Sequence, residues 1–153
     1  MEKLDINLML NRSQEMEKIK EILKGIEENI GNQNNITTKK GIYIYGDPGT
    51  GKTLFVTNLL KELNYDIVKY DAGDIRNKSI IDTITKHNMS DINVMSLFNK
   101  KPKRIVIIMD EIDGMNNGDK GGINALIKII RPKKTKKQKL EDITLTPIIC
   151  IGN

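Results

Sequence analysis

Residues 46–53 read Gly46-Asp47-Pro48-Gly49-Thr50-Gly51-Lys52-Thr53, and the rest of the chain is most easily understood outward from them. They follow the pattern G-x-x-x-x-G-K-[ST] of a loop that cradles phosphates. Ahead of them stands Ile42-Tyr43-Ile44-Tyr45, apolar and strand-forming. Behind them, Leu54-Phe55-Val56 leads through Leu59, Leu60 and Leu63 with helical spacing. Strand, glycine-rich turn and helix N-terminus together make an anion site. Backbone N–H groups of the first helical turn have no internal partner, and the helix dipole favours negative charge there. The expected phosphate contacts are Gly46, Asp47, Pro48, Gly49, Thr50, Gly51, Lys52, Thr53 and Leu54. Lys52 is placed to reach the β- and γ-phosphates of a nucleotide, and the Thr53 hydroxyl to ligate Mg²⁺.

The third apolar run ends in a second set of polar groups. Ile105-Val106-Ile107-Ile108-Met109 is apolar at every position, as expected for a strand buried on both faces of a parallel sheet. Asp110 and Glu111 follow it directly. In open α/β sheets ligands bind outside the carboxyl ends of the strands, so both acids should face the phosphate loop. Asp110 is expected to hold the Mg²⁺ sphere through water, leaving the metal on Thr53 and phosphate oxygens, and Glu111 to polarise the water that attacks the γ-phosphate. That pairing suits a nucleotide hydrolase better than a kinase, because water is small and needs only one positioned base. Asp113 either orients Glu111 or caps the segment after it. Asn153 ends the last strand, Ile148-Ile149-Cys150-Ile151, where its amide is in position to meet the attacking water or the γ-phosphate.

The remaining pattern alternates strands with helices. From Asn11, the expected N-cap, apolar residues recur at Met16, Ile19, Ile22, Leu23, Ile26 and Ile30, which predicts a helix. Residues 31–40 are a polar loop, and 66–70 a second strand. Helices are expected over 75–87, 89–98 and 123–130, the last stopped by Pro132. The fold class is therefore α/β: a three-layer P-loop NTPase with a mostly parallel sheet and helical crossovers.

Composition narrows the class. The chain has 153 residues, room for one domain, with 38% hydrophobic and 29% charged residues. No run of eighteen apolar residues is present, and acids interrupt the first five positions, which argues against a spanning segment or a signal peptide. Cys150, the only cysteine, sits in an apolar run and reads as a small buried hydrophobe in a reducing compartment. The expected location is intracellular, in nucleus or cytoplasm, and a viral replication site fits as well. A net charge of +5 permits a polyanionic partner without requiring one.

Four stretches then resemble one family: GDPGTGKT at 46–53, KELNYDIVKYDAGDIRNKS at 61–79, IIMDEIDGMNNGDKGGINALIKII at 107–130 and PIICIGN at 147–153. They look like an AAA+ ATPase, and within that group like the large subunits of clamp loaders of the replication factor C type. The segment DEIDGM followed by DKGGI discriminates most. The resemblance makes Glu111 the catalytic glutamate and Asn153 the sensor-1 residue, and sets Leu8-Met9-Leu10-Asn11-Arg12 near the adenine. It implies ATP and Mg²⁺ as ligands. The implied partners are other clamp-loader subunits in a hetero-oligomeric ring, a sliding clamp and primer–template DNA. Against the family pattern, the sequence stops at sensor 1, before the last core strand, the arginine finger, sensor 2 and the helical lid. The expectation is a partial AAA+ domain over 1–153, a fragment or one piece of a split gene, that alone binds ATP weakly and hydrolyses it poorly. Residues 1–10 form an N-terminal extension and 131–146 a basic insertion before the last strand.

Two sets of basic residues invite a nucleic-acid reading. The insertion carries six basic residues in the nine positions 131–139, among them Lys133, Lys134, Lys136 and Lys137. It is either a solvated loop or a phosphate-contacting one with a steep salt dependence. Arg76, with Lys78 beside it, matches by resemblance a DNA-backbone contact, and is otherwise a plain exposed arginine. No aromatic platform is evident for stacking bases, which favours backbone tracking over sequence readout. Two other classes stay open: a different AAA+ DNA motor of helicase or branch-migration type, with a hairpin over 140–145, and a non-catalytic ATP-binding scaffold.

Overall fold

The computed structural model describes residues 11–29, 39–71, 103–117 and 146–153, together with Asn124, Ile127 and Ile130. The described elements are helix α1 (Ser13–Glu28), strand β1 (Gly41–Tyr45), helix α2 (Lys52–Glu62), strand β2 (Asp66–Asp71), strand β3 (Ile105–Asp110), a 3₁₀ turn (Ile112–Asn117) and strand β4 (Ile148–Gly152). Expectations for 1–10, 30–38, 72–102, 131–145 and most of 118–130 lie outside the described residues. These include Leu8, Met9, Leu10, the helices over 75–87 and 89–98, Arg76, Lys78, Lys133, Lys134, Lys136, Lys137 and the hairpin over 140–145.

All strand pairs are parallel, in the order β1-β4-β3-β2. Every residue of β3 and β4 is buried, as the unbroken apolar runs require of central strands. β1 and β2 are less enclosed: Tyr43 and Tyr45 are 54% and 76% exposed and stack on one another. The register sets the two faces. Ile108 pairs with Ile149, and Ile149 with Ile42, so these residues share one face with Val106 and Ile151. On that face pack Ile19 and Leu23 of α1 and Phe55, Val56, Leu59 and Leu60 of α2. On the other face, the helical residue Ile130 lies against Gly41, leaving no room for a Cβ there. Helical residues on both sides of the sheet complete the three layers.

The start of α1 departs from the sequence expectation. Asn11 is not the N-cap; it takes a left-handed conformation (φ 50°), and Arg12 occupies the cap position without a side-chain cap bond. The Arg12 guanidinium is instead used in tertiary contacts, donating to the Thr50 carbonyl and lying 5.5 Å over the Phe55 ring. Ile22, expected on the apolar face, is 42% exposed. At the other end Tyr65 donates to Glu27, tying the end of α2 to the end of α1, and burial together with that carboxylate raises the tyrosine pKa. No helix among the described residues is long and apolar enough to cross a membrane.

Candidate nucleotide site

Parallel strands bring their carboxyl ends to one edge of the sheet. β4 lies between β1 and β3, so the loop after β1, the acids after β3 and Asn153 after β4 become neighbours. They line a single crevice of about 400 Å³, bounded by Pro48 to Leu54, Asp110, Glu111 and Ile151 to Asn153. The two-residue period explains which side chains turn inward. Asp110 follows Ile108 on the face covered by α2, and Asn153 follows Ile151 on the same face.

The loop is shaped by its glycines and by Thr50. Gly49 and Gly51 have φ of 77° and 75°, in the left-handed region, and a Cβ at either would meet nothing within 4 Å. The space in front of them is open. Thr50 Oγ1 donates to the Asp47 carbonyl at 2.9 Å and closes the turn. Gly51 is the N-cap of α2 and supplies no side-chain cap, so that helix end keeps donors free for an anion. Lys52 folds back over the loop. Its ammonium donates to the Gly46 carbonyl, to the Asp47 carbonyl at 2.8 Å and to Asn153 Oδ1 at 3.0 Å. Such a cation, held by carbonyls and an amide rather than by a carboxylate, is available to a phosphate.

Thr53 Oγ1 donates to Asp110 Oδ2 at 2.9 Å, and the Glu111 N–H donates to Asp110 Oδ1 at 3.0 Å. A hydroxyl and a carboxylate at this separation are the hard oxygen donors that Mg²⁺ takes when phosphate oxygens and water complete its shell. Among the described residues no cluster of three or more His, Cys, Asp or Glu forms an all-protein metal cage. Burial works against ionisation of Asp110, but hydrogen bonds from Lys69 and Thr53 outweigh it and hold the carboxyl below its ordinary range. Glu111 is exposed at the crevice with φ 52°, a conformation that costs a residue with a side chain about 1 kcal/mol or more. That kink turns the chain from β3 into the 3₁₀ turn.

Two features were not anticipated from sequence. Lys69, on β2, stands 2.9 Å from Asp110 Oδ2. Asp113 accepts from the Asn153 N–H, and so ties down the residue after β4. Its carboxylate and the Tyr43 hydroxyl close over Gly152, where a Cβ would stand 2.9 Å and 3.0 Å from the Asp113 oxygens. Asn153 is thereby bonded at both backbone and side chain. Of the expected site residues, the structure brings together those of the loop, Asp110, Glu111 and Asn153. A second cleft of about 650 Å³ adjoins the loop, lined among others by Arg12, Tyr45, Thr50, Lys52 and Phe55.

Comparison with known proteins agrees with this geometry. Residues 42–153 match the AAA family, ATPases associated with various cellular activities. Replication factor C subunit 1 of Saccharomyces cerevisiae is 36% identical over 117 residues, covering 72% of this chain and 12% of that protein. The replication factor C large subunit of Methanococcus aeolicus is 36% identical over 119 residues, covering 76% and 23%. Replication factor C subunit 1 of Homo sapiens is 32% identical over 120 residues, covering 74% and 10%. The chain thus spans less than a quarter of the length of each of these relatives. With a phosphate loop, an acid pair at the end of β3 and a family match over most of its length, the chain belongs to the AAA family of ATPases and resembles the large subunits of replication factor C.

Proposed function

We propose that this chain is the ATP-binding and ATP-hydrolysing core of a DNA-replication clamp loader of the replication factor C large-subunit type. In this role ATP binding drives a ring of subunits to close on primer–template DNA and to open a sliding clamp, and hydrolysis releases both. The observation that carries the proposal is the single crevice shared by residues 48–54, Asp110, Glu111 and Asn153. The names of the similar proteins favour a clamp loader over other AAA roles.

Each residue then has a task. The free N–H groups at the start of α2 and the Lys52 ammonium receive the phosphates, with Lys52 giving up the Gly46 and Asp47 carbonyls. Thr53 and Asp110 would hold Mg²⁺, which when bound supplies charge neutralisation to the β- and γ-phosphate oxygens. The Glu111 carboxylate orients a water and accepts its proton, and the Asn153 amide holds that water or the γ-phosphate. The cleft beside Arg12 and Tyr45 receives the base. Arg76, Lys78 and the lysines at 133, 134, 136 and 137 are proposed DNA-backbone contacts on sequence grounds alone.

Binding of a fluorescent ATP analogue to the Lys52→Ala variant tests the site. Loss of about 2–4 kcal/mol of affinity with the fold intact is expected, since one or two charge-assisted phosphate bonds disappear. Equal binding by the variant would overturn the assignment. In a reconstituted complex, Glu111→Gln should stop turnover while keeping ATP bound. Unchanged turnover would point to a scaffold, and strand unwinding without a clamp to a motor.

A further inference from the structure

The carboxylate that the proposed site offers to a metal already holds a cation of the chain itself. Lys69 Nζ lies 2.9 Å from Asp110 Oδ2, the same oxygen that accepts from Thr53 Oγ1. The lysine side chain is 44% exposed and that of Asp110 11%, so an ammonium reaches in from the solvent side over an almost enclosed carboxylate. The sheet register produces this contact. β2 and β3 pair Lys69 with Ile108 and Asp71 with Asp110, and the period of two puts all four side chains on the face where Thr53 begins α2. A second acceptor is in reach: Asp71 Oδ1 is 3.6 Å from the same ammonium. Neither the phosphate-loop pattern nor the acid pair calls for a lysine at this position.

Resting on the nucleotide site proposed above, we infer that Lys69 is a positioning residue, a tethered cation that holds Asp110 Oδ2 until a divalent metal arrives and then moves to Asp71. Two cations compete for one carboxylate oxygen, whether Mg²⁺ takes it directly or through a bound water, because their charges repel at this separation. The four-carbon stem lets the ammonium leave without disturbing β2. While in place, Lys69 keeps Asp110 aimed at Thr53 and satisfies a carboxylate with little water around it. It also makes the metal compete for its ligand, so that metal uptake leans on the charge delivered by the nucleotide phosphates.

The test is the ratio of dissociation constants of the full chain for methylanthraniloyl-ATP in EDTA and in Mg²⁺. Lys69→Met should raise this ratio about three- to fivefold over wild type, the upper scale of a lost, partly exposed ion pair. Lys69→Arg, which keeps the charge, should return it to within about twofold of wild type. Lys69→Gln serves as the second neutral variant, and far-UV circular dichroism checks the fold of each. Asp71→Asn, which removes the alternative acceptor, should lower the ratio in wild type and change it less in the Lys69→Met background. An unchanged or lower ratio in the folded neutral variants overturns the inference while leaving the nucleotide site standing. Failure of the wild-type chain to bind the analogue in either condition removes the nucleotide site, and the role of Lys69 with it.

Discussion

Gly152 is the last residue of β4, and the space above it is closed by the Tyr43 hydroxyl and the Asp113 carboxylate. Replacing it with alanine adds one methyl group. That methyl would stand 2.9 Å and 3.0 Å from the two Asp113 oxygens and nearer still to Tyr43 Oη, all inside ordinary contact distance. Tyr43 has solvent to move into, being 54% exposed. Asp113 does not move freely, because it accepts from the Asn153 N–H. Overpacking of this size costs about 1–3 kcal/mol, and the mobile tyrosine argues for the lower half of that range. The sequence has no tryptophan, so urea unfolding is best followed by far-UV circular dichroism. With m of about 2 kcal/mol/M, Gly152→Ala should lower the midpoint by roughly 0.5–1 M. Tyr43→Phe removes the atom in closest conflict, and in that background the alanine should cost about half as much. Because Asn153 Oδ1 also accepts from Lys52, Gly152→Ala should weaken binding of an ATP analogue as well. An unshifted midpoint, or an equal cost with and without the Tyr43 hydroxyl, would refute this account of how Asn153 is held.

Two further outcomes are expected. Glu111→Gly should abolish turnover yet leave stability equal or raise it by about 1 kcal/mol, because glycine adopts φ 52° without strain; a clear loss of stability in urea would show that the side chain matters to the fold. Burial pushes the Cys150 thiol from 9.0 to about 11. Its folded pKa is above the unfolded one, so the neutral thiol contributes stability that is complete below pH 9 and is lost as pH rises toward 11. Cys150→Ala should therefore flatten the alkaline loss of stability over that window, and a variant that loses stability as steeply as wild type would contradict the assignment.

Reading the strands from sequence worked best where one physical constraint dominated. Residues 105–109 and 148–151 are apolar throughout, and only a central strand covered on both faces removes such a run from water; both are buried along their length. The phosphate loop is likewise local, since its glycines, the start of α2 and the Lys52 stem act within a few residues of one another. The helix at 13–28 was visible from its spacing, but its first residue was not. Arg12 takes the cap position because its guanidinium finds Thr50 and Phe55, far along the chain.

The amino-acid sequence by itself therefore determined the α/β class, the glycine-rich loop at a helix start and the acid pair, because these follow from periodicity and from short-range backbone geometry. Tertiary structure alone decided that Lys69 neutralises Asp110 and that Asp113 holds Asn153. Both contacts join different elements, and their partners are set by sheet order and register, which no single segment encodes. A lysine in the outermost described strand looks solvated until the neighbouring strand places a buried carboxylate beside it.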